Sequence, residues 1–191
     1  MSPAEEFKQL NTRQASILQV GGFRPTLDPT ASNFGLAPLG LPGDEWPCWN
    51  SRPLLFVCQM NLTTAPAVPP ILAGIHLITF FIDSEFGILN RENGANWILR
   101  KYASREGLAR IVAPADAPKL KKGFECRWEQ CEDHPNYDDP EIVKPAGSHR
   151  PRTGFDNVAG TKIGGYASTI QSEPVGTRRA SRRSEILPAD Q

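Results

Sequence analysis

The chain has 191 residues, 39% of them hydrophobic and 22% charged, enough for one domain with a buried core. Lys plus Arg and Asp plus Glu both number 21, so the net charge is zero and no global field directs the chain to nucleic acid or an acidic membrane. Proline is over-represented, with 18 residues against a usual share of about 5%, which argues for many loops and edges and few long helices.

The first element reads as a helix over residues 2–19. Ser2 fits the N-cap, Pro3 the first helical position, and Glu5 stands three after the serine as a capping box wants. Phe7, Leu10, Gln14, Ile17 and Leu18 then mark a mostly apolar stripe at helical spacing, which predicts a helix packed on a sheet. The glycines of "VGGF" end it. From about residue 32 the chain becomes dense in Gly and Pro, a winding segment pinned by Trp46 and Trp49 and suited to lying over a sheet edge.

Strands follow. In "LLFVCQMNL", Phe56, Cys58, Met60 and Leu62 share one face and Val57, Gln59 and Asn61 the other, which predicts a half-buried strand. "IHLITFFID" is apolar on both faces and predicts a central strand. Asn93-Gly94 is a favoured hairpin turn pair. Residues 97–102 suit a strand or a helical turn, 107–114 a short strand, and "GFECRWEQC" alternates again. The expected fold is mainly β, an α+β domain of short antiparallel strands with an N-terminal helix and long Pro/Gly-rich loops. One domain is expected over 1–173: the helix, a β-rich core over about 32–131, a polar loop over 132–159 and a Gly-Gly strand over 160–173, then an Arg-rich polar tail over 174–191.

No apolar stretch approaches the roughly 20 residues of a membrane helix. "MSPAEEFKQL" carries acids where a secretion signal needs a basic region, so the expected location is the cytoplasm. Cys48, Cys58, Cys126 and Cys131 are too few for a disulfide framework and are expected as thiols.

Cys126, Cys131 and His134 offer zinc-ligand chemistry, but structural zinc takes four ligands, and strand alternation puts the two cysteines on opposite faces. No metal or other cofactor is expected. A cysteine nucleophile needs a nearby activating group, and His76, His134 and His149 mark none, so no catalytic residue is assigned. Between residues 125 and 141 stand seven acids, Glu125, Glu129, Glu132, Asp133, Asp138, Asp139 and Glu141, against Arg127 alone. Such a surface suits a basic partner, since charge complementarity speeds and selects association. "RRASRR" near the end is the opposite pole, expected as a solvated tail. Gly164-Gly165 lacks the spacing of a nucleotide fingerprint, and its expected use is conformational: positive φ or close backbone approach.

Several stretches together resemble one family. "SNFGLAPLGLPGDEWPCWNSRPLLFVCQMNL", then "IHLITFFID", then "GTKIGGYASTIQ", are similar to the YwqG-like proteins of bacteria, through Gly40, Pro42, Trp46-Pro47, Pro53-Leu54, Phe56, Gln59, Asn61-Leu62, Phe80-Phe81, Asp83, Lys162, Gly164-Gly165 and Gln171. Ala167 stands where the family usually has proline, and residues 36–39 are looser than its usual start. The resemblance implies a mostly β fold with flanking helices and a C-terminus shortened or replaced relative to the family, with a sheet edge left for something else to cover. It supplies no catalytic set.

The resemblance also implies a context, because such domains occur among immunity proteins of bacterial toxin systems, including type VI secretion loci. The expected function is a cytoplasmic binding protein that neutralises a cognate toxin, such as a nuclease effector, by occluding it, with no direct contact to nucleic acid or membrane. The surface assigned to that partner is Glu132, Asp133, Tyr137, Asp138, Asp139 and Glu141, with Trp128 as an aromatic anchor. The amides of Gln59, Asn61 and Gln171 are expected to tie strands and loops together. The alternative is a small-molecule binder or enzyme in which those amides line a cleft.

Overall fold

The computed structural model describes residues 3–85, 92–135 and 157–168. It is mainly β with one short N-terminal helix, as the alternation predicts. Helix α1 spans Pro3–Asn11, half the expected length, and strand β1 follows at Arg13–Val20. Asn11 Nδ2 donates to the Phe7 carbonyl at 2.9 Å and Thr12 Oγ1 to that of Lys8 at 2.7 Å, closing the last turn. Ala15, Ser16, Ile17 and Leu18 are then buried consecutively, the pattern of a strand covered on both faces. Tertiary pairing overrides the helical stripe here, since β1 has a neighbour on each side.

The remaining strands are β2 (Asn33–Phe34), β3 (Leu39–Gly40), β4 (Cys48–Trp49), β5 (Arg52–Pro53), β6 (Leu55–Asn61), β7 (Leu77–Ile82), β8 (Trp97–Tyr102), β9 (Ala109–Arg110), β10 (Phe124–Asp133) and β11 (Lys162–Gly164). Seven form one sheet in the order β11-β1-β10-β2-β6-β7-β8, while β3 pairs with β9 and β4 with β5. Residues 97–102 are strand rather than helical turn. The strand expected over 107–114 shrinks to two residues, because Pro38, opposite Ile111, accepts its N–H at 3.0 Å but has no N–H to return, and Pro114 has none either. The Gly-Gly strand likewise ends at Gly164, where φ turns to +76° and then +67° at Gly165.

In β6 the two expected faces do not run straight. Phe56 lies opposite Phe81 but Cys58 opposite Phe80, so Val57 is the extra residue of a bulge. The bulge moves Phe56 to the face of Phe81, where Leu54 joins them and Trp46, Trp49 and Ile98 pack around. Trp46 meets Phe81 edge-on at 5.3 Å between ring centres. Cys58 and Met60 keep the other face, where Leu62, Ile78 and Ile163 form a second cluster against Leu72, Ile75, Leu99 and Trp128. Each such buried side chain is worth about 1.5–3 kcal/mol. Gln59 and Asn61 are buried too, so β6 is covered on both faces rather than half-buried.

The chain divides into two compact units. One comprises Gln14–Cys131 and Thr161–Gly164 and carries the sheet; the other comprises Met1–Arg13, Glu132–Gly160 and Gly165–Gln191. Among the described residues no helix is long and apolar enough to cross a membrane.

Candidate functional site

Strand register in the sheet-bearing unit assembles a polar row that no single segment displays. Glu125 lies opposite Asn33, Asn33 opposite Gln59, Gln59 opposite Thr79, and Thr79 opposite Arg100. Residues paired this way share a face, so five polar side chains cross β10, β2, β6, β7 and β8 in line. The neighbouring row on the opposite face is apolar: Phe124, Phe34, Cys58, Phe80 and Leu99.

Most of the polar row fastens the winding segment to the sheet. The Glu125 carboxylate accepts from Thr26 N at 2.8 Å and Thr26 Oγ1 at 3.1 Å. Asn33 Nδ2 donates to the Ala31 carbonyl, and its Oδ1 accepts from Leu36 N. Gln59, 0% exposed, accepts from Leu39 N at 3.0 Å and donates to the carbonyls of Pro29 at 2.9 Å and Ala31 at 3.1 Å. Arg100 donates to the Glu45 carbonyl at 2.7 Å. Beside it Asp44 accepts from the Tyr102 hydroxyl at 3.0 Å and Leu41 N at 2.8 Å, and burial pushes the Tyr102 phenol up from its ordinary pKa. A loop without its own ladder can lie on a sheet only if its peptide groups find such partners. The winding segment therefore crosses the face of the sheet, from β10 to β8, rather than lying over an edge.

Gln59 and Asn61 thus do the tying expected of them. Asn61 Oδ1 accepts from Thr63 N and Oγ1, its N–H donates to Ser32 Oγ at 2.9 Å, and its carbonyl accepts from Trp128 Nε1 at 2.7 Å. Both ends of the Gln59 amide are thus engaged, and none of it is left for a substrate cleft. Trp128 is partly buried and held by that bond, so it is a packing residue here and not a free aromatic anchor. Trp46 Nε1 donates to the Leu54 carbonyl at 2.8 Å. Asp83 pairs with Arg52 at 3.3 Å, and Glu85 shares that guanidinium.

In the other unit the central residue is Asp133, also 0% exposed. Its carboxylate accepts from Val158 N and Tyr166 N, both at 2.7 Å. A Cβ on Gly165 would collide with that carboxylate, which is why glycine stands there; φ is +67° as well. Arg13 stacks over the Tyr166 ring at 4.0 Å, and Asn157 Nδ2 donates to the His134 carbonyl at 3.0 Å. In the sheet-bearing unit a Cβ on Gly164 would stand 3.0 Å from the Gln14 carbonyl oxygen, so both glycines have the conformational use expected, at the end of a strand rather than its start. Lys162 is half-buried in β11.

The expected partner surface is therefore divided. Asp133 has no exposed area and holds backbone instead, Glu132 is exposed, and Tyr137, Asp138, Asp139 and Glu141 lie outside the described residues, as does Gln171. Of the other acids in that run, Glu125 is consumed by Thr26 and Glu129 is exposed. Burial pushes the Cys58 thiol up to about 12, with Cys126 adding to it, and the Cys126 thiol up to about 11. Neither is a thiolate near neutral pH, so neither is a ready nucleophile. Among the described residues no group of three or more His, Cys, Asp or Glu is placed to hold a metal ion. Sequence reasoning missed Glu125, Asn33 and Arg100 as loop anchors. The only available signal was a polar side chain inside an otherwise apolar run, and Asn33 and Arg100 sit in no such run. No protein-family model matches the chain, and no curated protein matches it.

Proposed function

We propose that this chain is a cytoplasmic binding protein of the immunity type, which neutralises a cognate bacterial toxin by occluding it. The observation that carries the reading is the polar row: its side chains fasten residues 26–45 to the sheet, giving a pre-ordered loop surface. Pre-ordering lowers the entropic cost of association, which suits tight occlusion. The similarity to YwqG-like proteins supports the context, and the protonated Cys58 and Cys126 thiols weigh against cysteine catalysis. Exposed Glu129 and Glu132 fit a partner with a basic groove, as a nuclease has.

The test is a pull-down from native lysate with the purified chain as bait, at low and at high salt. The expected result is one stoichiometric partner whose toxicity disappears in the complex. Recovery of no partner at either salt, or of one that stays toxic when bound, overturns the reading.

A further inference from the structure

A cleft in the sheet-bearing unit lies between the turn that follows β3 and the segment that carries β9. It encloses about 600 Å³, within the roughly 300–1,000 Å³ of small-molecule sites. Leu41, Trp46, Ile111 and Val112 supply apolar lining. Asp44, Glu45 and Arg110 supply its charges.

The walls are held in place by the fold. Strands β3 and β9 pair, with Leu39 opposite Arg110 and Gly40 opposite Ala109. The turn over 41–44 is closed twice: Asp44 N donates to the Leu41 carbonyl at 2.9 Å, and Leu41 N to Asp44 Oδ2 at 2.8 Å. Trp46 is fixed by its bond to Leu54 and its edge contact with Phe81. A Cβ on Gly40 would stand 2.6 Å from Ile111 Cδ1 and 2.7 Å from Asp44 Oδ2, so glycine there lets the two walls meet. A cleft built this way needs little ordering when a ligand enters.

Its charges are used unequally. Asp44 lies 4.0 Å from Arg100 and accepts from the Tyr102 hydroxyl, so its charge is met within the fold. Glu45 and Arg110 are exposed, and among the described residues neither side chain has a hydrogen bond or an ion pair. Counting Arg100, the charges cancel, with one carboxylate and one guanidinium left over. Leu41 is 53% exposed and Val112 86%. Single exposed apolar side chains are ordinary, but these two share one concave surface with Trp46 and Ile111.

We propose that this cleft binds a small zwitterion with an apolar body, an amino acid or dipeptide. Its ammonium meets Glu45, its carboxylate meets Arg110, and its side chains lie against Leu41, Trp46, Ile111 and Val112. Arginine suits the carboxylate because its guanidinium offers two parallel donors. Complementarity to both charges selects against ligands that carry only one. The site is independent of the protein-binding reading and stands or falls separately.

The probe is the dipeptide leucyl-phenylalanine, titrated calorimetrically into the purified full chain and added at about 10 mM in thermal melts. Binding with a Tm rise of at least about 2 °C is expected. Acetylating its amine, or converting its carboxylate to an amide, is each expected to weaken binding about tenfold. Glu45→Gln should weaken the free dipeptide to the same degree and lose the sensitivity to acetylation; Arg110→Gln should lose the sensitivity to amidation. Both positions are exposed, so the unliganded Tm should hold within about 2 °C. Neither heat nor a Tm rise from the dipeptide, or from free leucine and phenylalanine, overturns the proposal. Equal binding of the blocked and free dipeptides to the wild type also overturns it, in favour of simple apolar contact, and requires no variant to fold. A titration unchanged in both variants places the binding elsewhere on the chain and overturns it as well. None of these results bears on the pull-down, so the two readings fail separately.

Discussion

Gln59 shows how a single side chain can determine a loop. Its one amide serves three peptide groups from two places in the winding segment, at Pro29, Ala31 and Leu39. Replacement by leucine keeps the volume but leaves those groups unpaired in a site without exposed surface. Each orphaned group costs about 1–3 kcal/mol, so Gln59→Leu is expected to destabilise by about 3–5 kcal/mol, read as a lower urea midpoint. A loss below about 1 kcal/mol would mean that the loop is held by other contacts. The buried thiols give a second residue-level expectation. The folded pKa values of about 12 for Cys58 and about 11 for Cys126 lie above the usual 9.0, so the unfolded chain releases these protons first. Their contribution is fully present below pH 9.0 and is lost as pH rises from there toward 11–12. Alkaline unfolding of wild type and of a Cys58→Ala, Cys126→Ala double variant checks this: the decline above pH 9.0 should be shallower without the thiols.

At the scale of elements, the end strand β8 shows a device for closing a sheet edge. Asn93 Nδ2 donates to the Leu99 carbonyl at 3.1 Å, and Leu99 N donates to Asn93 Oδ1 at 2.9 Å, the donor–acceptor pair a further strand would supply. Gly94 N adds a bond to the Trp97 carbonyl at 3.0 Å. Open edges invite pairing with other chains. Asn93→Ala is accordingly expected to speed amide exchange at Leu99 at least tenfold and to produce a concentration-dependent dimer in sedimentation. Unchanged exchange at Leu99 would show the edge to be covered by something else. Much of the β content was legible because β6, β7 and β10 alternate or run apolar over six residues or more. The Asn93-Gly94 pair was legible as a turn, but the strand-like use of the Asn93 side chain was not. The helix expected over 2–19 stops at Asn11 for a physical reason: Ile17 and Leu18 satisfy a helical stripe and a two-faced strand equally, and only the neighbours β11 and β10 decide between them. The polar row was illegible for the same kind of reason, since register across five strands creates it.

For the whole molecule, a net charge of zero conceals how differently its acids are used. Asp133 and Glu125 are internal fasteners, while Glu129 and Glu132 face solvent. Equal neutralisations at the two kinds of position should then have opposite consequences. In Asp133→Asn the amide must present an N–H to one of the two backbone donors it now serves, Val158 N or Tyr166 N, and charge-assisted bonds of about 1.5–3 kcal/mol are lost. Its expected effect is a Tm lower by about 4–10 °C with an unaltered salt dependence of association. In Glu129→Gln with Glu132→Gln, stability should hold within about 0.5 kcal/mol, as for most surface changes. Association with the partner should instead slow and become less sensitive to salt, because exposed charges act on encounter over a Debye length of about 8 Å at physiological ionic strength. Stopped-flow association from 50 mM to about 500 mM salt separates the two cases. A double variant that associates at the wild-type rate at every salt concentration removes Glu129 and Glu132 from the interface.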